Sequence, residues 1–220
     1  MNKKIYDRDI REPLFEFLEE KYGKVRILEE KRTGEARVDA VMITDSVLYG
    51  IEIKSDADTY TRLSGQVENY DKYYDRNYVV VGTRHAGHIE EHVPPYWGII
   101  TVEPVSGDDN EAESLDFYVL REPSDNPNVI PSKKLTILWR PELAHIQELN
   151  GLHKYAGKSK EYVRDYVIDS VEPERLYSEM TDELFERDYS TIGERINKYR
   201  VEHGQHRRKN IKKRKRIYKG

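Results

Sequence analysis

Two short apolar runs, 38–43 and 47–53, flank Asp45 and Ser46 and constrain this chain more than any other feature. Their spacing predicts a β-hairpin that turns at Asp45 and Ser46, residue types that favour tight turns. A turn centred there pairs positions whose numbers sum to 91, which sets Asp39 opposite Glu52. Directly opposed side chains on one sheet face stand about 5 Å apart at Cβ. The two-residue strand period puts Lys54 on the face of Glu52 and turns Ile51 and Ile53 toward a core. Two carboxylates this close repel unless one takes a proton or a cation lies between them.

Such a face can do chemistry. A divalent ion of the magnesium type prefers carboxylate, carbonyl and water oxygens. Asp39 and Glu52 would supply carboxylates, and the Ile53 carbonyl a third oxygen. The ion would polarise a phosphodiester oxygen and lower the pKa of a bound water. Lys54 would orient or deprotonate that water, or stabilise charge developing on the phosphate. Glu-x-Lys by itself has low specificity, since Glu29-Glu30-Lys31 also fits it. The other reading of the same residues is a cross-strand pair of acids neutralised by Lys54 and Arg37 at a sheet end.

Asp39, Glu52-Ile53-Lys54 and Gln66 on the following helix resemble the PD-(D/E)XK nuclease superfamily. In that superfamily the first acid, the Glu-x-Lys and often a glutamine on the next helix form the metal and phosphate site. The runs Asp9-Ile10-Arg11-Glu12, Gly34-Glu35-Ala36-Arg37-Val38-Asp39, Glu52-Ile53-Lys54-Ser55-Asp56-Ala57-Asp58-Thr59 and Arg62-Leu63-x-x-Gln66 resemble, more narrowly, a phage and bacterial family of that superfamily. Leu138-Trp139-Arg140-Pro141-Glu142-Leu143 continues the likeness, which covers roughly residues 7–190. Val38 stands where the superfamily's short motif has proline.

The resemblance implies an α/β fold: a restriction-endonuclease-like core with a mixed central sheet flanked by helices, plus a C-terminal helical extension. It implies a nuclease, a hydrolase cutting DNA phosphodiester bonds with Mg²⁺ or Mn²⁺. Asp39, Glu52 and Ile53 would hold the metal; Asp39, Glu52, Lys54 and Gln66 would be catalytic; Arg37 and Arg62 would contact phosphates. Cutting both strands as an endonuclease would favour a homodimer. A rival of another class is a catalytically silent phage accessory module that binds nucleic acid or a host protein on the same fold.

Composition sets outer bounds. A chain of 220 residues can bury a real core, and 35% charged residues against 37% hydrophobic ones demand a highly charged surface. No apolar run approaches the ~20 residues of a membrane span, and the start does not resemble a signal peptide. The absence of cysteine excludes disulfides and thiolate metal sites and is compatible with a cytoplasmic protein. Charge is segregated. Residues 207–220 hold nine basic residues and no acid: Arg207, Arg208, Lys209, Lys212, Lys213, Arg214, Lys215, Arg216 and Lys219. The other 28 basic residues face 41 acids, so residues 1–206 carry a net −13. A basic tail of this kind supplies sequence-independent phosphate contacts, or is simply a solvated end.

Apolar spacing predicts a helix over 9–22, with Asp9 and Glu12 as a capping box and Pro13 in the first turn. Glu12 and Glu16 lie four apart on it and would reach the metal site from below. A strand at 24–28 precedes the hairpin. A helix over 59–75 follows, with Tyr60, Leu63, Val67, Tyr70 and Tyr74 inward and Arg62, Gln66 and Asn69 on another stripe. The run 77–82, Asn77-Tyr78-Val79-Val80-Val81-Gly82, suits a short, buried, parallel strand. Strands at 97–102 and 115–120 flank an acidic turn at 106–113, and helices follow over 134–150, 159–171, 177–188 and 191–203. The division expected is a core over 1–125, a helical extension over 126–203 and a basic, disordered tail over 204–220. His88-Ile89-Glu90-Glu91-His92 fits a zinc-peptidase pattern, but Gly87 and Pro94-Pro95 leave only about two helical turns for it.

Overall fold

Among the described residues, six strands lie side by side in chain order in one mixed sheet. The computed structural model describes residues 5–33, 36–105 and 114–187, without the side chains of 30–33, 36 and 37. Met1–Phe185 is one compact unit; Glu186–Gly220 is a second unit and falls almost wholly outside the described residues. β1 (Arg26–Thr33), β2 (Ala36–Ile43) and β3 (Leu48–Lys54) form an antiparallel meander. β4 (Arg76–Gly82) runs parallel to β3, β5 (Gly98–Val105) runs parallel to β4, and β6 (Ser114–Arg121) returns antiparallel. The α/β class and the mixed central sheet flanked by helices are therefore as the sequence predicts.

The hairpin has the expected register. Ala40 pairs with Ile51, Met42 with Tyr49 and Ile43 with Leu48. Ser46 closes the turn at φ 61°, and the Thr44 N–H donates to the Val47 carbonyl at 3.0 Å. Gly50, on β3, is where Tyr70 and Tyr74 press closest. A Cβ there would meet their rings at 2.6 and 2.5 Å, so only glycine admits both aromatics.

Alternation along the strands feeds two cores. On one face α1 (Asp7–Tyr22) packs Ile10, Leu14 and Leu18 against Met42, Ile51 and Ile53. On the other, α2 (Leu63–Asp71) packs Leu63, Val67 and Tyr70 against Val79, Val81 and Trp97. β4 is buried on both faces, the usual setting of a parallel strand. α1 begins at Asp7 rather than Asp9, because the Asp9 carboxylate accepts the Tyr6 N–H at 3.2 Å from inside the helix. Pro13 thus falls in the second turn, not the first.

The helix expected over 59–75 is shorter, a 3-10 turn at Tyr60–Arg62 followed by α2. Its end is fixed by the sheet: Asp75 Oδ2 accepts the Leu48 N–H at 2.8 Å and the Asp75 N–H donates to Leu48 O at 2.9 Å. Between β4 and β5 lie the short α3 (Thr83–Ala86) and a 3-10 turn at Ile89–Glu91. At three residues per turn, His88 and His92 do not share a face. His85 and His92 instead pack on the Tyr60 ring at 4.9 and 4.1 Å between centroids.

After β6 come α4 (Pro131–Lys134), α5 (Arg140–Leu149), α6 (Lys160–Ser170) and α7 (Pro173–Glu186). Leu143, Ile146, Val163, Val167, Met180 and Leu184 join the core that holds α2, so these helices are built into the same compact unit. The acidic turn at 106–113, the helix expected over 191–203 and the basic tail lie outside the described residues. No helix among the described residues is long and apolar enough to cross a membrane.

Candidate functional site

The strand period and the hairpin register bring Asp39, Glu52 and Lys54 to the end of the β2–β3 pair, and α2 lays Gln66 and Tyr70 over them. The Glu52 carboxylate is buried and its oxygens are engaged from within the protein. Oε1 accepts from Lys54 Nζ at 2.7 Å and from Gln66 Nε2 at 2.5 Å; Oε2 accepts from the Tyr70 hydroxyl at 2.6 Å. Lys54 Nζ also donates to Gln66 Oε1 at 2.8 Å, which closes a three-membered ring of donors and acceptors. Burial, and then the negative charges of Glu52 and Asp39, push the Tyr70 phenol well up, so it remains an O–H donor at neutral pH.

Asp39 lies at the rim. Its Oδ2 accepts the Ile53 N–H at 2.9 Å, a bond that a neighbouring strand would otherwise make. The paired register stops at Ala40 and Ile51, one position short of Asp39 and Glu52. Arg11 of α1 approaches from the other side: one nitrogen is 3.4 Å from Asp39 Oδ1 and another 3.3 Å from the Asp39 carbonyl. Asp7 holds the guanidinium at 3.0 and 2.9 Å. Burial and then the Glu52 charge push the Asp39 carboxyl up to about 7, against the Ile53 N–H and the Arg11 cation.

Asp39, Glu52, Lys54 and Gln66 are thus brought together as the sequence predicts. Other expected members are not. Glu12 and Glu16 are exposed on α1, and Glu16 faces β6 instead. Helical phase explains the substitution: Arg11, one residue from Glu12, is the α1 side chain that reaches Asp39. Arg62 is exposed before α2, and the Arg37 side chain lies outside the described residues. Ile53 contributes its N–H to Asp39. Asp58 turns back to accept the Ser55 N–H and hydroxyl at 2.9 and 2.7 Å, and Asp56 Oδ2 accepts the Ile5 N–H at 3.4 Å. Helical spacing puts Tyr70 in the core and is silent on its polar role, although Tyr70 follows Gln66 by four positions on one helix. Nothing local points Arg11 at a residue 28 positions away.

The arrangement neutralises itself. Lys54 is the cation on Glu52 and Arg11 the cation beside Asp39, while Gln66 and Tyr70 donate to the Glu52 oxygens. Among the described residues, no group of three or more His, Cys, Asp or Glu side chains is placed to hold a metal ion.

No curated protein matches this chain. Among solved structures, that of Pyrococcus furiosus SfsA in complex with Ca²⁺ is similar at 14% identity and a TM-score of 0.32. The similarity covers 56% of this chain and 63% of the SfsA chain's length. The family model of Bacteriophage P4 protein cII matches residues 1–213, nearly the whole chain. This match overturns the expected membership in the PD-(D/E)XK nuclease superfamily. With it falls the expectation of a magnesium-dependent deoxyribonuclease, which also lacks a cluster of metal ligands among the described residues. Acid-x-Lys spacing on paired strands serves an internal salt cluster as well as a metal site, which is why the motif misled. The chain belongs to the Bacteriophage P4 protein cII family.

Proposed function

We propose that this protein is a phage accessory protein that binds nucleic acid, DNA in the first instance, without cleaving it. Charge segregation carries the reading: nine basic residues and no acid in 207–220, against a net −13 over the rest. An acidic body repels a polyanion, so affinity has to come from the basic segment. Arg207, Arg208, Lys212, Lys213, Arg214, Lys215 and Arg216 would neutralise phosphates and release counterions without reading sequence. Family membership in a bacteriophage protein family supports the phage context. The self-neutralised cluster of Asp39, Glu52, Lys54 and Gln66 supports a structural clasp tying β2, β3 and α2, in place of a reaction centre. Localisation in the cytoplasm, where a phage genome would be met, belongs to the same proposal.

Anisotropy of a labelled DNA duplex against salt tests it. Each neutralised phosphate adds about −0.9 to the slope of log K against log salt, so nine basic residues bound the slope near −8. Replacing Lys212, Lys213, Arg214, Lys215 and Arg216 by glutamine should flatten the slope by roughly half and weaken binding on every sequence alike. An unchanged slope, or metal-dependent cutting of the DNA by the wild-type chain, would overturn the proposal.

A further inference from the structure

β6 ends the sheet, and among the described residues no strand pairs with its outer edge. An unpaired edge offers a row of N–H and C=O groups to any chain in extended conformation. Along β6, Leu115, Phe117 and Val119 turn inward beneath α1, while Tyr118 and Leu120 stay 50% and 53% exposed on the opposite face. A groove of about 360 Å³ lies between the strand and α1, lined by Glu16, Phe17 and Glu20 and by Asp116, Phe117 and Tyr118. The Phe17 and Phe117 rings stack at 5.4 Å within it.

Charge says what such a groove admits. Its lining carries three acids, Glu16 and Glu20 from α1 and Asp116 from β6, and no Lys, Arg or His. Nucleic acid is repelled from this side. A second copy is also disfavoured, because pairing two β6 edges would bring the acidic linings of both copies together. We propose that the β6 edge binds a lysine- or arginine-bearing segment of a partner protein, which adds to the sheet as a further strand. Main-chain bonds to β6 give the affinity, and alternation gives the selectivity. One set of the added side chains meets Glu16 and Glu20, and the other meets Asp116 and Tyr118. This inference is independent of nucleic-acid binding, which is assigned to another part of the chain.

The test uses the full chain and a fluorescein-labelled decapeptide of alternating lysine and valine. A serine–valine decapeptide and a lysine–valine decapeptide N-methylated at alternate residues serve as comparisons. The lysine–valine peptide should bind best and should slow amide exchange over residues 114–121. Glu16→Lys with Glu20→Lys should weaken it about 10-fold or more, as two favourable surface pairs become repulsive. N-methylation should abolish the exchange protection. Equal binding of the serine–valine or the N-methylated peptide would overturn the proposal, as would no protection of β6. So would self-association of the chain that Tyr118→Lys abolishes, since the edge would then serve a second copy.

Discussion

Replacing Lys54 by methionine isolates what the buried clasp contributes. Methionine keeps much of the side-chain volume and removes the ammonium. The side chains of Lys54 and Glu52 are only 5% and 2% exposed, so solvent cannot replace the lost partner. Glu52 would keep its bonds from Gln66 and Tyr70 but lose the only cation within hydrogen-bond reach among those its oxygens are seen to contact. Breaking a buried ion pair from one side costs about 3–5 kcal/mol. For a domain of this size that corresponds to a fall in melting temperature of roughly 10 °C. Adding Glu52→Gln removes the stranded charge while keeping groups that can bond Tyr70 and Gln66. The double variant should therefore recover most of the loss, with a coupling of about 3 kcal/mol in the cycle. Urea unfolding of wild type, both single variants and the double variant at one pH measures every term. A Lys54→Met variant within about 1 kcal/mol of wild type would refute the reasoning. It would mean that Glu52 is not held as a desolvated anion by Lys54.

Three further outcomes are expected. Because the Asp39 carboxyl is pushed up to about 7 from 3.8, the folded state holds its proton more tightly than the unfolded chain. Its contribution is present below about pH 4 and lost as pH rises through about 7. Asp39→Asn should stabilise the protein by on the order of 1–2 kcal/mol at pH 8 and by little at pH 4, in paired urea curves; no gain at pH 8 would refute this. Asp71 is buried and accepts from Tyr96, Trp97 and Asn77 at 2.6, 2.9 and 3.2 Å, so Asp71→Ala strands three donors. It should cost about 3 kcal/mol or more and shift Trp97 emission; an unaltered unfolding midpoint would contradict it. Magnesium should leave the melting temperature where EDTA leaves it at matched ionic strength. A magnesium-dependent rise that Asp39→Asn abolishes would show a cation bound between the acids.

Several features of the fold are legible because they depend only on neighbours in sequence. The hairpin register follows from the turn at Asp45 and Ser46, and the strand period then separates Ile51 and Ile53 from Glu52 and Lys54. The buried stripe of Leu63, Val67 and Tyr70 follows from helical spacing, and the doubly buried β4 from its unbroken apolar run. The likeness to a nuclease rested on the same local signals. It failed because spacing fixes which side chains meet and leaves open what neutralises them.

By itself, then, the amino-acid sequence determined the α/β class, the pairing of β2 with β3, and the meeting of Asp39, Glu52, Lys54 and Gln66. It also determined the separation of an acidic body from a basic end. Only tertiary structure decided the rest. α1 crosses the sheet in a phase that delivers Arg11, rather than Glu12 or Glu16, to Asp39. The docking of α2 brings the Tyr70 hydroxyl onto Glu52, and the order of strands leaves β6 as an edge beside α1. Each of these joins groups far apart in the chain. Their energies depend on burial and on partners that no periodicity encodes, because a carboxylate's charge is balanced by whatever folds against it.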